Sequence, residues 1–322
     1  MDRAVKLLSP GGVDRMKVEA WPPQEPGPGE IRIRHEAIGV NFLDTYHRTG
    51  LYPLPAPFIL GVEGAGTVEA VGAEAGELAV GQRVVYAGLP GAYATTRLLP
   101  SWRAVPLPGT ISANLAAASL LRGLTTHMLL TRVHPVSMGS LVLVHAAAGG
   151  LGAMLTRWSK HLGATVIGTA GSPEKAEAAG ENGADHVIVG RDADIVAEVG
   201  RLTSGRGVDF AIDGIGGTML AKTLACVRRF GTVASIGQAA GPIPPIRVED
   251  LGPSRSLSLV RPSVMAYTTE RETYPAAVRD VLAMSERGVF TGIGREYRLD
   301  QAAQAHADLE AGRIFGAAIL IP

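Results

Sequence analysis

Residues 141–152, Leu-Val-Leu-Val-His-Ala-Ala-Ala-Gly-Gly-Leu-Gly, join a short apolar run to a segment whose apolar positions recur at helical spacing. This change of period predicts a strand over 141–144, a turn, and a helix over 151–162. Gly149 and Gly150 remove side chains where the backbone must approach a pyrophosphate. Gly152 lets the helix pack close to the strand, with its N-terminus facing the negative charge. Ala147 stands where the G-x-G-x-x-G pattern has its first glycine, so the turn's context decides between a nucleotide site and a packing turn without ligand.

That context follows in the chain. Strand-like runs at 141–144, 165–169, 187–189, 210–213, 232–236 and 257–260 alternate with helical patterns at 151–162, 173–182, 193–202 and 218–227. Such alternation specifies a parallel sheet with helices on both faces, and a nucleotide then lies across the carboxyl ends of its strands. The turn is therefore read as a phosphate-binding turn.

The preceding part is different. Short strands are expected at 4–8, 31–38, 64–71, 82–86 and 92–98, separated by glycines and by the loops Pro22-Pro23 and Pro26-Gly27-Pro28-Gly29. They predict a compact, partly barrel-like β unit, closed by Pro106 and Pro108 and followed by helical patterns at 113–121 and 124–131. After the alternating part come helical patterns at 274–287 and 299–311 and one strand, 317–321. A single strand forms no domain, so it is expected to return to the first β unit, leaving the nucleotide-binding part as an insertion.

At 322 residues two domains are expected. The 30 basic and 30 acidic residues cancel, so no overall field draws the chain to nucleic acid or an anionic membrane. The sole cysteine, Cys226, excludes an internal disulfide framework and a cysteine-rich zinc lobe. Residues 1–13 lack the apolar core of a signal peptide, and no uncharged stretch reaches the ~18 residues of a membrane span. A soluble, cytoplasmic protein is expected.

The identity of the nucleotide is read just beyond the second strand of the alternating part. An NAD site places an acidic residue there, roughly 20 positions after the glycines, to bind the ribose 2′-hydroxyl. This chain has Gly171-Ser172-Pro173-Glu174-Lys175 instead. Ser172 and Lys175 suit a 2′-phosphate, Arg191 adds a second cation after the third strand, and Glu174 falls in the first turn of the next helix, where acids favour the dipole. NADPH is the expected cofactor.

Four motifs carry a wider resemblance: Asn41-Phe42-Leu43-Asp44-Thr45-Tyr46, Arg48-Thr49-Gly50-Leu51-Tyr52-Pro53, Gly61-Val62-Glu63-Gly64-Ala65-Gly66 and the run 145–152. In that order and spacing they resemble the NADPH-dependent quinone oxidoreductases, the zeta-crystallin-like, zinc-free branch of the medium-chain dehydrogenases/reductases. The likeness extends through the Arg261-Pro262-Ser263 turn to the Leu320-Ile321-Pro322 ending.

The resemblance implies an α/β fold. A GroES-like β-rich catalytic domain (1–122 and 266–322) would be joined to a doubly wound, parallel-sheet Rossmann domain (123–265), with the active site in the cleft between them. The phosphate turn then takes the family's A-x-x-G-x-x-G form at Ala146, Gly149 and Gly152. Zinc-dependent relatives carry a cysteine where this chain has Asn41 and a histidine where it has Val62, so no metal is expected. The eight histidines are scattered without paired spacing.

Carried over by the same resemblance, Asn41, Tyr46 and Tyr52 line the nicotinamide and substrate pocket, giving orientation, hydrogen bonds and a proton. Asp44 is a structural acceptor beside them. Asn41, Thr126, Ala148, Gly149, Gly150, Leu151, Gly171, Ser172, Lys175, Arg191, Gly237 and Gln238 would contact the cofactor, and Arg261 would border the substrate mouth. Relatives often have a tyrosine for the 2′-phosphate where this chain has Gly190, which leaves more of that contact to Lys175 and Arg191. A homodimer formed through the last Rossmann strand is also implied. Three functions are compatible with these features: NADPH:quinone oxidoreductase, NADPH-dependent reductase of an enone or enoyl thioester, and an NADPH-binding protein with little catalysis serving a structural or RNA-binding role. The absence of a basic stripe argues against RNA.

Overall fold

The computed structural model describes residues 2–290 and 292–322, and Met1 and Thr291 lie outside the described residues. Two compact units divide the chain. One comprises the part up to Leu124 together with Val264–Pro322, and the other is Thr125–Ser263.

The first unit opens with β1 (Arg3–Leu7), β2 (Lys17–Ala20), β3 (Glu30–Val40), helix α1 (Phe42–Thr49), β4 (Phe58–Ile59), β5 (Glu63–Val71), β6 (Arg83–Ala87), β7 (Thr96–Pro100), β8 (Val105–Pro106) and helix α2 (Ala113–His127), within which the boundary between units falls. In β3 buried Ile31, Ile33 and His35 alternate with less buried Arg32, Arg34 and Glu36, the period of a strand with one covered face. From Ala37 to Val40 every residue is buried. β3 pairs along its length with β5, and its other edge is shared end to end by β7 and the chain's last strand. Ile31, Ile33, Ile38, Val68, Val84 and Leu99 meet in one apolar core, each side chain contributing about 1.5–3 kcal/mol by leaving water.

Three sequence expectations shift here. Helix α1 was not anticipated in the Asn41–Tyr46 motif, and it is closed by Gly50 at φ +82°. The strand expected at 92–98 is displaced to Thr96–Pro100, because residues 93–95 cross from β1 to β3, with Val5 N–H donating to Tyr93 O, Thr95 N–H to Arg3 O and His35 N–H to Thr95 O. The two helical patterns at 113–121 and 124–131 form one continuous helix that widens into a π-helical turn at Met128–Val133.

The second unit contains β9 (Leu141–Val144), α3 (Gly150–His161), β10 (Thr165–Ala170), α4 (Pro173–Glu181), β11 (His186–Val189), α5 (Ile195–Leu202), β12 (Val208–Asp213), α6 (Met219–Cys226), β13 (Val227–Ser235) and β14 (Ser258–Val260). The six strands are all parallel, in the order β11-β10-β9-β12-β13-β14. The connections first step outward from β9 and then return to its other side, and right-handed crossovers, the rule for parallel strands, put the helices of two such halves on opposite faces. The order reverses between β9 and β12, and a doubly wound sheet opens its ligand crevice at that point. β13 begins at Val227, ahead of the expected 232–236, because the chain passes directly from α6 into the strand.

The chain then completes the first unit with α7 (Val264–Tyr267), α8 (Tyr274–Ala283), β15 (Ile293–Arg298), α9 (Ala302–Glu310) and β16 (Ala317–Ile321). As expected, β16 returns to the first β unit, antiparallel to β3. It is joined by β15, a strand that residues Ile-Gly-Arg-Glu-Tyr-Arg do not announce because its burial is confined to one residue, Tyr297. Tyr274 fastens the late segment to the early one: its wholly buried hydroxyl accepts the Ala87 N–H (2.9 Å) and donates to Arg103 O (3.2 Å). Tyr274→Phe leaves both backbone groups unsatisfied and is expected to cost about 1–3 kcal/mol in urea unfolding, and a loss below ~0.5 kcal/mol would contradict that role.

Candidate active site

In the second unit the candidate cofactor residues gather at the carboxyl ends of the strands. After β9 the backbone turns sharply, with Ala146 at φ +51°, and Gly149 caps α3 with no side-chain hydrogen bond to its first N–H groups. Those donors are left for a ligand, and the positive end of the helix faces it. A Cβ on Gly152 would overlap the carbonyl oxygen of Ala146, so the close approach of helix to turn requires glycine there. Ala148 is buried, whereas Gly149, Gly150 and Leu151 are half-buried.

Beneath the turn His145 is a buried anchor. Its Nδ1 lies 3.1 Å from Thr169 Oγ1 and its Nε2 lies 2.8 Å from Thr223 Oγ1. Thr223 Oγ1 donates to Asp213 Oδ2 (2.8 Å), whose Oδ1 accepts the N–H groups of Ile215 and Gly216. Burial lowers the imidazole pKa, so His145 is held neutral. The ends of β9, β10 and β12 are thereby tied to one another and to α6.

At the end of β10 Ser172 caps α4, accepting the Lys175 N–H (3.4 Å). Arg191, beyond the left-handed Gly190 (φ +109°), packs over the same turn: a Cβ on Gly171 would come within 3.6 Å of its Nε. Lys175 and Arg191 thus both belong to the rim where an NAD site holds a carboxylate. Glu174 is exposed in the first turn of α4, and hydrogen bonds from the Ser172 hydroxyl and its own backbone hold its carboxyl below the ordinary range. Gly237 and Gln238 follow β13 and pack on Gly214 and Gly216 at the end of β12. Arg261 follows β14 and donates to Ser235 Oγ (3.0 Å). Thr126 is wholly buried, and its Oγ1 has no hydrogen-bond partner among the described residues. Open helix donors, glycines at the close approaches and two cations fit a dinucleotide phosphate.

The first unit holds the other candidates on α1 and its flanks. Asn41 lies between β3 and α1, buried, and Asp44 Oδ2 accepts its N–H (2.8 Å). Its Nδ2 donates to Glu63 Oε1 (2.7 Å). Tyr46 and Tyr52 pack edge to face, ring centroids 5.4 Å apart, and the Tyr52 N–H donates to Tyr46 O. Tyr52 is exposed and Tyr46 half-buried.

Asp44 is a structural acceptor, as expected, and it belongs to a larger polar cluster that sequence reasoning did not assemble. Tyr93 Oη donates to Asp44 Oδ2 (3.1 Å) and lies 3.0 Å from His306 Nε2. Burial pushes the Asp44 carboxyl up to about 7 and His306 down to about 3. Glu63 is also pushed up by burial, against the opposing charge of Arg122. A charged residue inside the apolar Gly61-Val62-Glu63-Gly64-Ala65 run was the available signal for Glu63, whereas Tyr93 and His306 are brought in by tertiary structure alone. Among the described residues no three His, Cys, Asp or Glu side chains are grouped to hold a metal ion. With the Asn41 amide engaged by Glu63 and an aliphatic Val62, these positions do not fit zinc.

Residues 27–109 match the alcohol dehydrogenase GroES-like domain, and residues 150–283 match the zinc-binding dehydrogenase family. The chain is 39% identical to a quinone oxidoreductase of Pseudomonas aeruginosa, with all of both chains covered. It belongs to the quinone oxidoreductase family. The fold is accordingly a GroES-like domain with a Rossmann-type domain. A 2-haloacrylate reductase of a Burkholderia species is 38% identical, covering 100% of this chain and 99% of the relative. The structure of Escherichia coli quinone oxidoreductase complexed with NADPH superposes with a TM-score of 0.95 at 35% identity, covering 99% of this chain and 100% of that one.

Asp44 makes stability depend on pH. With a folded pKa of about 7 against an ordinary 3.8, it keeps in the folded state a proton that the unfolded chain has lost, so its contribution to stability falls as pH rises through that window. Asp44→Asn abolishes the titration. Its Tm relative to the wild type should therefore rise between pH 4 and pH 8, by at least about 3 °C, and a pH-independent difference would contradict the assignment.

Proposed function

We propose that this protein is an NADPH-dependent quinone oxidoreductase that reduces small quinones without a metal. The observation that carries it is the full-length match to quinone oxidoreductases. In the second unit, the open N-terminus of α3 and the Gly149–Leu151 backbone receive the pyrophosphate, while Ser172, Lys175 and Arg191 receive the 2′-phosphate. Thr126, Gly237 and Gln238 serve the nicotinamide half. When bound, NADPH supplies the hydride.

Quinone reduction takes up two electrons and two protons, so the chain must supply orientation, charge stabilisation and a proton route. Tyr46 and Tyr52 are assigned the hydrogen bonds to the quinone oxygens and the relay of a proton. Asn41 is assigned an orienting hydrogen bond and Arg261 the mouth of the site. In this reading residues 1–122 and 266–322 are the catalytic domain and residues 123–265 bind the cofactor. The free outer edge of β14 supports a homodimer, because an unpaired edge strand is a template for pairing. A cytoplasmic location is part of the same reading, and no helix among the described residues is long and apolar enough to cross a membrane.

A second reading follows from the 2-haloacrylate reductase relative: the same hydride, delivered to an activated C=C bond. Steady-state NADPH oxidation with 1,4-benzoquinone, 2-chloroacrylate and a 2-enoyl thioester separates the readings. Benzoquinone is expected to give a kcat/KM at least about tenfold above the others. A reversed preference would move the assignment to C=C reduction, and tight NADPH binding with no acceptor turned over would leave a binding protein.

Lys175→Ala tests the cofactor. Loss of a phosphate-paired ammonium is expected to raise the Kd for NADPH about tenfold or more while changing that for NADH less than about twofold, measured by fluorescence titration. Equal weakening of both would remove Lys175 from the 2′-phosphate site.

A further inference from the structure

Glu63 is wholly buried at the head of β5, yet the reaction proposed above uses neither of its oxygens. Oε1 accepts the Asn41 Nδ2 hydrogen at 2.7 Å and Oε2 accepts the Leu121 N–H of α2 at 2.6 Å. Room for the carboxylate is made by Gly39 on the neighbouring strand, where a Cβ would overlap both Glu63 Oε1 and the Ala117 carbonyl. Arg122, also buried, sets its positive charge against that of Glu63 and donates to the carbonyls of Ala118 and Val40. A buried charge is tolerated only when it is paired and hydrogen-bonded, and this one is.

A carboxylate only accepts hydrogen bonds. The Asn41 amide therefore has one allowed orientation, since turning it over would set Oδ1 against Glu63 lone pair to lone pair. Oδ1 accepts nothing from the described residues and is absent from the buried atoms that lack a partner, so it keeps an accessible face.

We infer that Glu63 is a positioning residue that locks the Asn41 amide with its oxygen outward, making Asn41 a hydrogen-bond acceptor for a ligand hydroxyl. That hydroxyl belongs to the cofactor ribose or to the reduced substrate. The inference rests on Asn41 being a site residue, as proposed above, and it leaves donation to the quinone oxygens to the tyrosines.

Reversing the pair tests it. Asn41→Asp sets two carboxylates together and is expected to lower kcat/KM for benzoquinone more than about tenfold. Glu63→Gln frees the amide to turn and should lower it severalfold, with a lower Tm because buried Arg122 loses its opposing charge. In the double variant, Asn41→Asp combined with Glu63→Gln, the new amide on β5 donates to the new carboxylate before α1. That carboxylate again presents an oxygen outward, so kcat/KM should return to within about threefold of the wild type and exceed that of Glu63→Gln. If the double variant folds but stays below Glu63→Gln, an outward N–H is what the site needs and the inference is overturned. That comparison holds even if Asn41→Asp fails to fold. Recovery that also appears in the NADPH Kd identifies a cofactor hydroxyl, whereas recovery confined to kcat/KM identifies one on the reduced substrate. Asn41→Ala separates the two levels: wild-type turnover by that variant would remove Asn41 from the site itself, whatever the role of Glu63.

Discussion

A carboxylate buried without water must be surrounded by donors, and the first unit is built to meet that demand at Glu63. The donors come from two places, the Asn41 amide after β3 and the N–H of Leu121 in the middle of α2, and the Arg122 guanidinium on the same helix adds an opposing charge. Asn41 and Glu63 are brought together by an apolar core that puts β3 beside β5. Removing one partner would leave a charge stranded, which costs far more than an intact pair contributes. The geometry at Asn41 is thus inherited from the packing of a sheet and fixed further by the bond from its N–H to Asp44 at the start of α1.

The second unit is held together in a similar way. His145, Thr169, Thr223 and Asp213 form a chain of hydrogen bonds under the phosphate turn, fixing strand ends that would otherwise be free to splay. Above them the N–H groups of α3 receive no side-chain cap. Rigidity below and unsatisfied donors above are what an anion site requires, because preorganised donors need no rearrangement when the charge arrives.

Much of this was legible in the sequence. The alternating half was read nearly element by element, since its strands and helices each carry their own hydrophobic period, and the return of the final strand followed from its having no neighbour of its own kind. The unanticipated elements are short or weakly patterned: α1, β2 with all its residues exposed, and β15 with one buried side chain. At the sites, glycines and cations close together in the chain were readable from spacing. Asp44 was read as a structural acceptor, but its links to Tyr93 and His306 were not, because those residues are joined to it by tertiary contacts that leave no periodic trace.

The interruption of the first unit bears on the order in which the protein can form. The second unit is continuous, Thr125–Ser263, and all its strands have emerged from the ribosome before β16 is made. The first unit has no such independence. The far half of one edge of β3 is covered only by β16, and Tyr274 reaches Ala87 and Arg103 from the late segment. During synthesis that edge stays open, with unpaired backbone groups facing solvent, while the inserted domain can already be folded. The strand that closes the first unit is translated after the whole of the second, so the nascent chain carries a finished Rossmann-type domain while the β unit on either side of it is still incomplete.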